Sequence, residues 1–79
     1  MRVEVALFGH YSRLLPPDSK NGSAVLEVDR DSTVGTVLDR LQIPPEGRTY
    51  VTVNDRNVGQ EAILSEGDKI RVIVPLGGG

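Results

Sequence analysis

Only one stretch of this chain has the period of a substantial helix, and that stretch must cover everything else that is apolar. Val34, Val37, Leu38 and Leu41 fall at i, i+3, i+4 and i+7, one face of a 3.6-residue repeat. Ser32 stands before them as the expected N-cap, and Pro44-Pro45 forbids continuation. Gly35 and the β-branched residues lower the intrinsic helix propensity, so packing must hold the segment. The remaining apolar residues alternate with polar ones, as half-buried strands do. Val3, Val5 and Leu7 oppose Arg2, Glu4, Ala6 and Phe8. Leu26 and Val28 point inward from a second strand over 24–29, and Val51 and Val53 from a third over 49–53. In a last strand over 69–75, Ile70, Val72 and Val74 face in while Arg71 and Ile73 face out.

The connections complete the order. Gly9 breaks the first strand, residues 10–15 suit a short helical turn ended by Pro16-Pro17, and residues 18–23 are loop chemistry. Asn54-Asp55-Arg56-Asn57 turns into a short edge strand near Val58, Ile63 and Leu64 are expected to plug the core from a loop, and Glu66-Gly67-Asp68 turns the chain again. Strand, strand, helix, strand, short strand, strand is an α+β arrangement, with one helix covering a mixed sheet of four or five strands. A crossover through the helix places the last strand parallel to the first at the sheet centre. That is the β-grasp, the ubiquitin-like roll, expected over residues 1–76 with 77–79 as a flexible tail. No repeat, linker or second domain is visible.

Composition narrows the chemistry. Seventy-nine residues allow one modest, aliphatic core and no deep catalytic cleft. The net charge of −2, with acids and bases interspersed, lacks the basic stripe of a nucleic-acid binder. No apolar run approaches the ~20 residues that span a membrane, and Met1-Arg2-Val3-Glu4 does not read as a signal peptide. A cytoplasmic location is therefore expected. With no cysteine there is no disulfide, thiolate metal site or covalent chemistry at sulfur. His10 is the single histidine and cannot assemble a metal site alone, no phosphate-cradling loop is present, and Asp55 and Asp68 read as turn residues. Neither a metal nor a bound cofactor is expected.

What remains for covalent chemistry is the main-chain end. The sequence closes on Gly77-Gly78-Gly79 directly after a strand-like run. Glycine has no Cβ, so such a tail can thread a channel that excludes other residues, and it leaves the Gly79 carboxylate sterically open. Fully extended, residues 75–79 reach roughly 16–18 Å, far enough for the body to dock outside a site that Gly79 enters. A frayed end or a linker remnant is the plainer reading of the same letters.

Several fragments then stand in a telling order: Val5-Ala6-Leu7-Phe8 with Tyr11 and Arg13-Leu14-Leu15, Ser32-Thr33-Val34, Val53-Asn54, Gly67-Asp68, and Val74-Pro75-Leu76-Gly77-Gly78-Gly79. Their order and spacing resemble the MoaD/ThiS ubiquitin-like sulfur carriers over essentially the whole chain. The resemblance implies a carrier and protein co-substrate, not an enzyme. Its terminal carboxylate, here Gly79, would be adenylated by a ubiquitin-activating-type (MoeB/ThiF-like) enzyme. The acyl-adenylate would become a thiocarboxylate that delivers sulfur to an acceptor such as a molybdopterin synthase large subunit or a thiazole synthase. Gly77 and Gly78 would form the thin stalk within the partner channel. The segment from Phe8 to Leu15 and the length are closer to MoaD, the small subunit of molybdopterin synthase, while a triple-glycine ending also occurs among ThiS-like thiamine carriers. A protein modifier conjugated through Gly79 and a plain β-grasp binding module share the architecture and stay open.

Docking candidates follow from the alternation. Ala6, Phe8, Ile73 and Pro75 fall on the outward side near the tail, and an apolar cluster there reads as a partner-docking surface, with Leu76 as an anchor. Phe8 has the alternative of folding against residues 11–15. Arg71 and Lys69 are either a solvated strand face or contacts for an acidic partner or the adenylate phosphate.

Overall fold

The computed structural model describes residues 1–73. The expectations for Val74, Pro75, Leu76, Gly77, Gly78 and Gly79 lie outside the described residues. Strand β1, Arg2–Leu7, buries Val3, Val5 and Leu7, and it pairs antiparallel with β2, Ser23–Glu27. Helix α1 spans Val34–Arg40, followed by β3, Val51–Val53, β4, Arg56–Asn57, and β5, Lys69–Val72. Two short 3₁₀ helices, Gly9–Leu14 and Pro45–Arg48, sit in the connections. The sheet order is β2-β1-β5-β3-β4, with β5 parallel to β1 and antiparallel to β3. The last strand is therefore central, and the architecture is the expected α+β β-grasp. Among the described residues no helix is long and apolar enough to cross a membrane.

Val34, Val37 and Leu38 of α1 meet Val3, Val5, Leu7, Val51, Ile70 and Val72 of the sheet in a fully buried core. Each such aliphatic side chain contributes about 1.5–3 kcal/mol relative to exposure, which offsets the weak propensity of the helix. Tyr11, Leu15, Ala24 and Ile43 join this core, while Val28 and Val53 are only partly buried.

Two expectations are corrected. The N-cap is Thr33, whose Oγ1 accepts from the Thr36 amide at 3.2 Å. Ser32 instead donates its hydroxyl to the Asp29 carbonyl at 2.7 Å. Ile63 is 67% exposed, and Leu64 alone plugs the core. One cause underlies both. Residues 32–34 pair with residues 62–64, through Leu64 N–H to the Ser32 carbonyl (2.8 Å) and Val34 N–H to the Ala62 carbonyl (3.0 Å). That short ladder holds Thr33 extended, one residue before the helix. It also imposes a two-residue alternation that turns Ile63 out as Leu64 turns in.

Turn chemistry is tighter than its sequence suggests. Asn21 (φ 54°) and Gly22 (φ 77°) form a two-residue turn with reciprocal Lys20–Ser23 bonds, and Asn54 (φ 53°) and Asp55 (φ 70°) form another between Val53 and Arg56. Both have the left-handed pair of a type I′ turn, whose twist matches that of the flanking strands. The edge strand accordingly begins at Arg56, ahead of Val58.

Helix α1 stops before the proline pair. Gln42 is left-handed (φ 62°), its N–H bonds the Asp39 carbonyl (3.0 Å), and the Ile43 N–H bonds the Leu38 carbonyl (3.0 Å). This is a Schellman cap with a buried Leu38–Ile43 apolar pair and a glutamine where glycine is usual. Arg48 then ties down the segment. It donates to the Ile43 carbonyl (2.8 Å), Asp39 Oδ1 (2.8 Å) and Gln60 Oε1 (2.9 Å). Beside it Gly47 lies against the Tyr11 ring, where an added Cβ would sit 2.7 Å from ring atoms.

At the sheet end far from the tail, Arg2 Nε donates to Glu27 Oε1 at 2.9 Å. That hydrogen bond, with the charge attraction behind it, holds the Glu27 carboxyl below its usual range against the opposing effect of desolvation.

Three outcomes follow from these contacts. Gln42→Gly relieves a left-handed side chain and raises the thermal midpoint, by about 0.5–1 kcal/mol in stability. Gly47→Ala gains about 0.4–1 kcal/mol of unfolded-state entropy but overpacks the buried Tyr11 ring at a cost of about 1–3 kcal/mol, so the midpoint falls. A rise with Gly47→Ala, or a fall with Gln42→Gly, contradicts the packing described. Glu27, with its folded pKa lowered, contributes stability that is present above the ordinary carboxylate range and lost as pH falls through the folded value. An NMR carboxyl titration should place Glu27 below the ordinary value, and Arg2→Gln should return it there; an unmoved titration refutes the pairing.

Candidate functional site

The face of the sheet opposite α1 is built by the outward half of each strand's alternation, and the pairing registers arrange it in rows. Ile73 follows Val72 and donates its N–H to the Tyr50 carbonyl at 2.9 Å. Phe8 lies one residue beyond the Leu7–Val72 register pair, in extended backbone (φ −125°, ψ 162°). Phe8, Ile73 and Tyr50 therefore form a first row across β1, β5 and β3, exposed by 47%, 43% and 47%. The second row reads Ser23, Ala6, Arg71, Thr52, Asn57. The third carries Val25, Glu4 and Lys69, and the fourth is the Glu27–Arg2 pair. Rows lie about 6.5–7 Å apart, two residues along a strand. The face thus grades from apolar at the end of β5 that leads into residue 74 to fully charged at the opposite end.

Of the sequence-derived docking residues, Phe8 and Ile73 are brought together in the first row, with about half of each side chain exposed. Pro75 and Leu76, with Gly77, Gly78 and Gly79, lie outside the described residues. Tyr50 completes the row and was missed. Its outward direction was readable from Val51 pointing inward, but its place beside Ile73 depends on the β3–β5 pairing. A row of two aromatics and one isoleucine, half exposed and uncharged, can form the apolar centre of a protein interface.

The other fragments that carried the resemblance serve the frame. Asn54 Nδ2 donates to Asp68 Oδ1 (2.9 Å), Asn54 Oδ1 accepts from the Lys69 amide (3.0 Å), and Asp68 Oδ2 accepts from the Ser65 amide (2.8 Å). These bonds clamp the two turns that begin β5 and end β3. Tyr11 is buried against Gly47, with the His10 ring stacked on it at 4.2 Å and tilted 49°. What the described face offers is a half-exposed apolar row at the end of β5 that leads into residue 74.

The comparisons with known proteins agree with this layout. The model of the ThiS family matches residues 5–79. No curated protein sequence matches the chain. Among solved structures, SAMP1 of Haloferax volcanii is similar at a TM-score of 0.72 and 22% identity, covering 100% of both chains. A second structure of that small archaeal modifier protein 1 gives 0.73 and 21%, over 95% of this chain and 98% of the other. A protein assigned as molybdopterin converting factor, subunit 1, of Pyrococcus furiosus gives 0.73 and 19%, over the same shares. At these identities the structural likenesses establish the fold, which is the ubiquitin-like roll. The family match covers nearly all of the sequence and includes every strand but the first residues of β1, so the chain belongs to the ThiS family of small, ubiquitin-like carrier proteins.

Proposed function

We propose that this protein carries sulfur on the carboxylate of Gly79. A carboxylate oxygen attacks the α-phosphorus of ATP on a ubiquitin-activating-type enzyme and releases pyrophosphate, giving the acyl-adenylate. Hydrosulfide then attacks the acyl carbon, AMP leaves, and a thiocarboxylate remains for delivery to an acceptor enzyme. Activation is needed because a carboxylate with an ordinary pKa of about 3.3–3.7 is anionic near neutral pH and a poor electrophile. The absence of cysteine suits a chain that holds sulfur at its end and not as a persulfide. The observation that carries the reading is the reach of the family match through residue 79, which brings the glycine tail inside the matched region. The apolar first row at the root of that tail supports it, as the surface a partner grips while Gly79 enters its site.

Molybdopterin is the cofactor we assign to the pathway, in keeping with the Pyrococcus likeness and the segment from Phe8 to Leu15. Delivery to a thiazole synthase for thiamine is the alternative within the same chemistry. The likeness to an archaeal modifier protein favours a second reading, in which Gly79 forms an amide with a lysine of another protein.

Intact mass spectrometry decides between them. Incubation with the host's adenylating enzyme, ATP and sulfide should replace one oxygen by one sulfur in the C-terminal peptide. A residue added after Gly79, or removal of Gly78-Gly79, should abolish the change without altering the fold, and Phe8→Ser with Ile73→Ser should raise the carrier concentration needed for half-maximal conversion. Conversion retained in the extended chain refutes the carrier reading. Adducts of Gly79 on lysines, with no thiocarboxylate formed, establish the modifier.

A further inference from the structure

Among the described residues Arg71 is the one charge within the first two strand rows, since its register neighbours are Ala6 and Thr52 and those beyond are Ser23 and Asn57. It stands two residues from Ile73 on the same strand and face. Its partner is Asp55, in the turn after β3, with Nη1 to Oδ1 at 3.6 Å. That separation is too long for a hydrogen bond, and the Arg71 side chain remains 55% exposed. An exposed, loose ion pair holds little and is screened by salt. Of the other charges, Arg2 is bonded to Glu27 at 2.9 Å, Glu4 and Lys69 are register neighbours in the third row, and Asp18 and Lys20 flank the far β2 edge, where they line a shallow cleft with Glu4, Ser23 and Val25.

The geometry points to Arg71 as the charge by which the adenylating enzyme's docking surface is recognised, through a carboxylate set at the edge of an apolar socket for Phe8, Tyr50 and Ile73. Asp55 is its resting counter-ion and its competitor. In the free protein the pair keeps a lone guanidinium from standing beside an apolar row. On docking, the socket excludes water from the first row, and the planar guanidinium exchanges a single long contact for a two-bond grip on the partner carboxylate. Recognition of this kind acts mainly on the rate of encounter and on the choice of partner. The inference rests on the carrier reading and specifies the chemistry of its first partner.

The test is the association rate of the full chain with the host's adenylating enzyme, measured by stopped-flow between low and high salt. Arg71→Gln should slow association about five- to tenfold at low salt and flatten the salt dependence, while Arg71→Lys should retain most of the rate. Asp55→Asn, which keeps a residue that tolerates the left-handed turn, should speed association about two- to threefold. It should have no effect when Arg71 is already glutamine, whereas a general charge effect would persist in that background. An unchanged rate and salt slope for Arg71→Gln, or slower association for Asp55→Asn, overturns the role of Arg71 alone. No binding by the wild-type chain overturns the carrier reading together with it.

Discussion

The parallel pairing of β1 with β5 is the contact on which the rest of the structure depends. It joins segments more than sixty residues apart in sequence, from Glu4–Lys69 to Leu7–Val72. A parallel pair cannot be made by a tight turn and needs a long connection that covers one face. Here that connection contains α1, whose Val34, Val37 and Leu38 close over the strands they link. Loop-closure entropy opposes such pairing until the core repays it, so the fold is cooperative: neither the helix nor the central strands have a reason to persist alone. The same pairing brings Phe8 level with Ile73 and sets the root of the tail at the middle of the sheet.

Once β5 is central, its two faces have separate tasks. Ile70 and Val72 are buried against the helix, while Arg71 and Ile73 look outward between β1 and β3. Among the described residues no layer covers the outward face, yet it does not spread its apolar residues evenly. Phe8, Tyr50 and Ile73 stand together at the end of β5 that leads into residue 74, Val25 stands apart in the third row, and the paired charges Arg2 and Glu27 stand at the other end. The outer edges are also guarded. β4 has two residues, and on β2 the Ser23 main chain closes the turn with Lys20 while the Glu27 carbonyl accepts from Arg40. Short or occupied edges discourage strand addition.

Most of the described residues by which the chain resembles its family serve the frame. Asn54, Asp68 and Tyr11 hold turns and core together, and Thr33 caps the helix. Phe8, from the first fragment, instead stands exposed in the row it shares with Tyr50 and Ile73, which lie outside those fragments. A family resemblance built from the first group speaks strongly for the fold and only indirectly for the partner.

The amino-acid sequence alone determined the one helix, the inward half of each strand, the order of elements and hence the roll, because these rest on local periodicity and on proline and glycine stops. It also determined that sulfur chemistry on a side chain is excluded, since no cysteine is present. Tertiary structure decided what periodicity cannot encode: which strands are neighbours and in what register. Tyr50 joins Phe8 and Ile73 only through pairing with β5, Thr33 displaces Ser32 as the cap because residues 62–64 pair beside it, and Ile63 turns out by the same ladder. Asp55 reaches Arg71 only because a left-handed turn folds it back over β3. Alternation along a strand is a property of each residue and its nearest neighbours, whereas register is a choice between distant segments, settled when the whole core closes.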